Sequence, residues 1–321
     1  MPSSKASPEA SPPLASPSHS NPRKKPKHIT ILHPDLGIGG AERLILDVAL
    51  ALQTRGHAVT IYTSHRDTRH CFEEARDGSL DVRVRGGGAV PASIWGRFVV
   101  LCAVIRQVLC VGWVVWEGLR ERDGRDKERE GEVFVVDQVA ACVPILRVLG
   151  WCADRFKFGF LRRSRILFYC HFPDQLLARR DEGGSLRRLV KRWYRVPFDM
   201  FEGWAVSWAD RVVANSRFTR GVVEDVFGRE RLGCVSVVYP CVDTEGKGGD
   251  EDGEQLWGGK KILLSINRFE RKKNIELAIK AYHGLDERER KGTRLVIAGK
   301  QTSRVIRTHL ILARWLRQPR R

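Results

Sequence analysis

Residues 28–62 restrict the possible folds more than any other stretch. His28 to His33 (HITILH) is a short apolar run, followed by the loop Pro34-Asp35-Leu36-Gly37-Ile38-Gly39-Gly40. Ala41 to Arg55 then places Leu44, Val48, Ala51 and Leu52 along one side of a helix. Gly56 ends that helix, and Ala58 to Tyr62 supplies a second apolar run. Strand, glycine loop, helix and strand within about 35 residues is the grammar of a parallel sheet.

The same alternation continues. Leu80–Val84, Val133–Asp137, Arg165–Cys170, Arg211–Ala214 and Val235–Tyr239 read as strands, with helices over 140–149, 186–203 and 218–226. After Tyr239 the pattern breaks. Residues 243–259 are charged and contain six glycines, as a linker or mobile loop would. Lys261–Ile266, a helix over 274–282 and Thr293–Ala298 open another strand-helix-strand unit. One such unit cannot cover both faces of its sheet. The predicted organisation is a basic disordered tail over 1–26, an α/β domain over 27–242, a linker over 243–259, and the start of a second α/β domain over 260–299. Residues 300–321 read as a divergent basic tail.

Charge narrows the partners. Lys and Arg number 56 against 38 Asp and Glu, a formal net charge of +18, which attracts phosphate, nucleic acid or acidic lipid alike. No zinc-finger spacing, basic heptad region or aromatic RNA-binding signature is present, so nucleic acid is not the expected partner. The eight cysteines lie mostly in apolar runs without a C-x-x-C pair, as free thiols in a reducing compartment would. Phe98 to Trp116 is the longest apolar run, broken by Arg106 and Gln107. It approaches the length of a membrane span, and a buried core helix or an interfacial helix fits it too. Trp113, Trp116 and the flanking Arg97, Arg120 and Arg122 favour contact with lipid headgroups.

Three places could carry chemistry. Gly39, Gly40 and Glu42 lie where a strand gives way to a helix, so bare backbone and unpaired N–H groups could meet an anion; a tight turn reads equally well. His171 stands just past a strand, on the edge where open parallel sheets bind ligands, although a structural histidine is an equal alternative. Arg268 to Lys273 (RFERKK) sets cations between a strand and a helix, where a diphosphate could be gripped; a solvated basic turn is the plainer reading. A phosphate-binding G-x-x-x-x-G-K-S/T loop, an H-E-x-x-H and a metal-ligand spacing are all missing from the sequence.

The segments HPDLGIGGAERLILDVALAL, TIYTSH, CFEEARDG, ILFYCHFPD, VVANSRFTR, VVYPCVD and LLSINRFERKKNIELAIKA, in that order, resemble the eukaryotic alpha-1,3/1,6-mannosyltransferases of asparagine-linked glycosylation, in glycosyltransferase group 1 and family 4. The resemblance spans about His28 to Gly299. It implies two Rossmann-like domains of the GT-B type, the second incomplete. It implies transfer of mannose from GDP-mannose to a dolichol-diphosphate oligosaccharide, first alpha-1,3 and then alpha-1,6, with retention and without a metal or other cofactor. The implied setting is the cytosolic face of the endoplasmic reticulum membrane, with other mannosyltransferases of the pathway as partners. On the same ground His171 would contact the transferred sugar, Gly39 and Gly40 would lie near the donor diphosphate, and Arg268 and Lys273 would grip it. Glu42 would touch donor or acceptor. The family's later β-α units, with two glutamates eight positions apart that hold the nucleotide ribose, have no counterpart in 300–321. The alternative is therefore a weakly active or inactive fragment that binds membrane or lipid-linked acceptor. A nucleotide-sugar dehydrogenase or epimerase is disfavoured, since the dinucleotide glycine spacing is broken by Glu42.

Overall fold

The computed structural model describes residues 26–95, 98–120, 132–156, 161–177, 185–241, 261–269 and 273–299, without the side chains of 185–192 and 194. The expected tail up to residue 25, the linker 243–259, Arg97, Arg122, residues 270–272 and the stretch 300–321 lie outside them. The chain divides into two units, Met1–Val242 and Asp243–Arg321.

The first unit is built on seven parallel strands: β1 (His28–Asp35), β2 (Ala58–His65), β3 (Asp81–Val84), β4 (Val133–Asp137), β5 (Arg165–Cys170), β6 (Arg211–Ala214) and β7 (Ser236–Val237). Their order is β3-β2-β1-β4-β5-β6-β7. Strand order therefore reverses between β1 and β4, and a crevice opens there at the carboxyl ends of a doubly wound sheet. Helices are α1 (Gly40–Thr54), α2 (Val99–Arg120), α3 (Cys142–Phe156), α4 (Asp174–Leu177), α5 (Ser185–Val206), α6 (Arg217–Phe227) and α7 (Arg229–Leu232).

Both faces of the central strands are covered, which is why β1 and β2 are buried almost continuously. Ile29 and Ile31 join the core under α1, with Leu44, Ile45 and Ala49. Leu32, Phe134, Val136 and Phe168 join the other core, with Val111 and Val114 of α2, Leu146 of α3 and Val223 of α6. The apolar run at 98–116 is thus a helix built into the domain along one face, through Cys102, Gln107, Cys110, Val111 and Val114. Its other face leaves Val99, Trp113, Trp116 and Leu119 exposed. The helix runs past Trp116, where Glu117 accepts from Tyr62 Oη (2.9 Å), Arg83 Nη1 (3.0 Å) and Arg85 Nε (2.5 Å). That knot ties the end of α2 to β2, β3 and the loop beyond.

Elsewhere the boundaries shift for local reasons. Pro34 and Asp35, expected in the loop, continue β1, because Asp35 stays in register with His65. The strand expected at 235–239 shrinks to two residues, since β7 finds only Val213 and Ala214 to pair with. The helix expected at 140–149 starts at Cys142 and runs on to Phe156. All eight cysteines are free.

The second unit pairs β8 (Lys261–Ile266) with β9 (Thr293–Ala298) in parallel, joined by α8 (Ile275–His283) and α9 (Glu287–Lys291). Ile275 is buried, whereas Leu264 and Ile266 are 57% and 72% exposed. At the end of β9 a Cβ on Gly299 would collide with the carbonyl oxygen of Asn267, so this approach demands glycine. The contact fixes the exit of β8 just ahead of Arg268.

Candidate active site

Three side chains from three different segments meet at the carboxyl edge of the first sheet. His33 is near the end of β1, Asp137 is the last residue of β4, and His171 follows β5. Since β1 pairs with β4 and β4 with β5 in parallel register, the three are neighbours across the sheet. His33 Nδ1 lies 2.7 Å from Asp137 Oδ2, and both side chains are fully buried. A carboxylate can only accept, so Nδ1 of His33 carries the proton. His171 Nε2 is 2.9 Å from Asp137 Oδ1, an ion-pair distance without the alignment of a hydrogen bond. Burial alone would push the Asp137 carboxyl up. The imidazoles of His171 and His33 more than offset it and hold the group below the usual carboxylate range.

The backbone leaves the strand sharply here. Gln138, next to Asp137, has φ +61°, a left-handed conformation uncommon for a residue with a side chain. Strain of this kind gathers at functional sites. Gln138 lines a cavity of about 430 Å³ together with Ala41, His171 and Phe172. Val99, Val100, Ala103 and Val104 of α2 form an apolar wall, and Glu202 of α5 adds a carboxylate. The His171 ring packs 5.0 Å from that of Tyr169. Burial, reinforced by the Asp137 charge, pushes the Tyr169 phenol up to about 12, and its hydroxyl donates to Val238 O at 2.8 Å.

Among the sequence-derived candidates, His171 lines this cavity; Gly39, Gly40 and Glu42 do not, although their neighbour Ala41 does. Gly39 is the N-cap of α1 with an extended backbone (φ −166°), so it is not a left-handed turn. Gly40 is exposed, with open space where a side chain would stand. The Glu42 carboxylate folds back against Gly39, so an acidic group already occupies the side of the loop where an anion was expected. Arg268 and Lys273 belong to the second unit. Arg268 follows β8, Lys273 precedes the N-cap Asn274 of α8, and both are exposed. Both therefore lie between β8 and α8.

Sequence reasoning missed His33, Asp137 and Glu202. The signal for the first two was present: a polar residue closing an otherwise apolar strand, as in HITILH and VFVVD, has to be paired or functional. Glu202 could not be found this way, because its partners are backbone amides far away in sequence.

Comparison with known proteins places these features. The model of "Glycosyltransferase Family 4" matches residues 145–246, and that of "Glycosyl transferases group 1" matches 250–317. The second match runs beyond Gly299, where the segment-by-segment likeness was expected to stop. The chain is 43% identical over 290 residues to the alpha-1,3/1,6-mannosyltransferase of Neurospora crassa, covering 88% of this chain and 57% of the relative. It is 44% identical over 285 residues to that of Eremothecium gossypii, covering 87% and 50%. The chain thus spans little more than half the length of these relatives. Among solved structures, WaaG, a glycosyltransferase involved in lipopolysaccharide biosynthesis, superposes with a TM-score of 0.53 at 15% identity over 90% of this chain and 67% of its own. That likeness concerns the fold, an α/β arrangement of two Rossmann-like units of the GT-B type. By sequence, the chain is similar to the eukaryotic alpha-1,3/1,6-mannosyltransferases over most of its own length, and it matches the models of glycosyltransferase group 1 and family 4.

Proposed function

We propose that this chain transfers mannose from GDP-mannose to a dolichol-diphosphate oligosaccharide, adding an alpha-1,3 and then an alpha-1,6 residue with retention. Similarity to the alpha-1,3/1,6-mannosyltransferases supports the reaction class. The observation that carries the reading into this molecule is the His171–Asp137–His33 cluster at the edge where a doubly wound sheet takes its ligands.

In this reading His171 meets the transferred sugar. Asp137 and His33 keep its imidazole in place without movement during the reaction, as electrostatic preorganisation requires. Arg268 and Lys273 stabilise the departing diphosphate. Arginine provides a two-pronged grip and lysine a mobile charge. Gly39 and Gly40 offer bare backbone near the donor, and Glu42 contacts donor or acceptor. The acceptor hydroxyl attacks the face of the sugar that the diphosphate leaves, and the leaving phosphate takes the proton. The exposed face of α2, with Trp113 and Trp116, rests on the cytosolic face of the endoplasmic reticulum membrane. Other mannosyltransferases of the pathway would act beside it.

The test is transfer of radiolabelled mannose by the purified 321-residue chain to a dolichol-diphosphate acceptor carrying one mannose. Time-dependent transfer that His171→Ala abolishes supports the reading. Binding of the acceptor to vesicle-associated chain without any transfer would replace it with that of an acceptor-binding fragment.

A further inference from the structure

The segment carrying His171 is short and held from two sides. Asn215 Nδ2 donates to the His171 carbonyl oxygen at 3.1 Å. Three residues on, the chain enters α4 through Pro173, which has no N–H of its own. The next two amides, of Asp174 and Gln175, do not find their acceptors within the turn. Asp174 N–H donates to Glu202 Oε1 at 2.7 Å, and Gln175 N–H donates to Glu202 Oε2 at 3.1 Å. Both oxygens of one carboxylate on α5 are therefore used to hold the far end of the histidine loop, and the same carboxylate lines the cavity with His171.

We propose that Glu202 is a positioning residue, whose ionised carboxylate clamps the loop from His171 to Gln175 and so sets where the imidazole stands. The clamp works in one protonation state. Protonation puts an O–H on one of the two oxygens and makes that oxygen a much weaker acceptor, so one of the two amide contacts is weakened.

The surroundings place that change within reach of ordinary pH. Burial pushes the Glu202 carboxyl up, the two backbone N–H groups pull it down, Asp174 repels it and Arg195 attracts it; together they leave it at about 6. The charged and titratable groups nearby come from several elements. Asp174 lies on α4, and Arg195 on α5 pairs with both Asp174 (2.9 Å) and Asp199 (3.0 Å). Cys170 and His171 stand at the end of β5, and the Cys170 thiol is pushed up by burial and by Glu202 itself. Asp137 lies beyond them at the end of β4, with its two oxygens against the imidazoles of His33 and His171. The α2 wall of the cavity is apolar.

One arm of the test needs no activity. In the isotope-labelled full chain, the amide proton shifts of Asp174 and Gln175 should titrate with a midpoint near the Glu202 value, and Glu202→Gln should abolish that step. Amides that ignore pH between 5 and 7, or that titrate unchanged in Glu202→Gln, overturn the proposal. The other arm rests on the mannosyltransferase reading. Glu202→Gln should lower kcat roughly tenfold, with donor KM unchanged, and remove the acid limb of the pH profile. Glu202→Asp, whose shorter arm still carries charge, should keep an acid limb. An unaltered kcat and acid limb in Glu202→Gln also overturn the proposal. Absence of transfer in the parent chain strikes the functional reading alone, and the amide titration then decides the clamp by itself.

Discussion

Asp137 Oδ2 lies 2.7 Å from His33 Nδ1, with neither side chain reaching solvent. The pair extends by the second oxygen to His171, so one buried carboxylate serves a structural imidazole behind it and an accessible one in front. Removing the rear partner should cost stability, because it strands a buried charge. His33→Leu should destabilise the fold by about 3 kcal/mol in urea denaturation, and adding Asp137→Asn should recover part of that loss. A double variant that is simply additive would show that the two groups do not interact.

Asp137→Asn alone retains shape and removes charge. The imidazole of His171 then loses its nearest anion, and mannose transfer should fall by about a hundredfold while donor affinity changes little. Comparing kcat with the dissociation constant of GDP-mannose separates the two quantities.

The two carboxylates of the site pull stability in opposite directions with pH. Asp137 titrates below its unfolded value, so its contribution is present above the ordinary carboxylate range and disappears as acid protonates the folded state. Glu202 titrates above its unfolded value, at about 6. The folded state then binds the extra proton, and stability is lost as pH rises through that value. Thermal unfolding of Glu202→Gln should therefore gain on the parent by roughly 2 kcal/mol between pH 4.5 and pH 7. Asp137→Asn should flatten the decline below about pH 4.

In the second unit, Arg268→Ala and Lys273→Ala should each weaken GDP-mannose binding by about tenfold or more, with the fold retained because both side chains are exposed. Titration calorimetry reads this directly. Arg268→Lys should not restore the arginine value, since a point charge does not replace a planar fork.

Gly299→Ala forces a methyl group into the carbonyl oxygen of Asn267. The expected result is a loss of about 3 kcal/mol, together with weaker donor binding, because Asn267 leads into Arg268. Normal stability and binding in this variant would mean that the β8–β9 ends part without cost.

Much of the fold could be read from the sequence because parallel strands buried on both faces announce themselves. VFVVD, RILFYC, RVVA, KILLSI and TRLVIA became strands with the expected ends. What escaped depended on distant partners. The extension of β1 through Pro34 rests on register with β2. The shortness of β7 rests on how little of β6 remains for it. His171 was legible from its place after a strand. Its supports were not, because His33 and Asp137 are about a hundred residues apart and Glu202 acts on amides that no side-chain pattern reveals. The glycine loop read equally well as an anion seat or a tight turn, and composition alone could not show that the Glu42 side chain folds back against Gly39.

The Glu117 knot has a consequence for how such a protein meets a bilayer. Drawing α2 out of the domain to thread it through hydrocarbon would part the Glu117 carboxylate from one phenol and two guanidinium groups at once. The helix is moored to its own sheet, so in the proposed reading α2 meets lipid broadside, as a hull meets water. Under that proposal the reactive edge rides at a fixed height above the headgroups, within reach of a sugar carried on a tethered lipid.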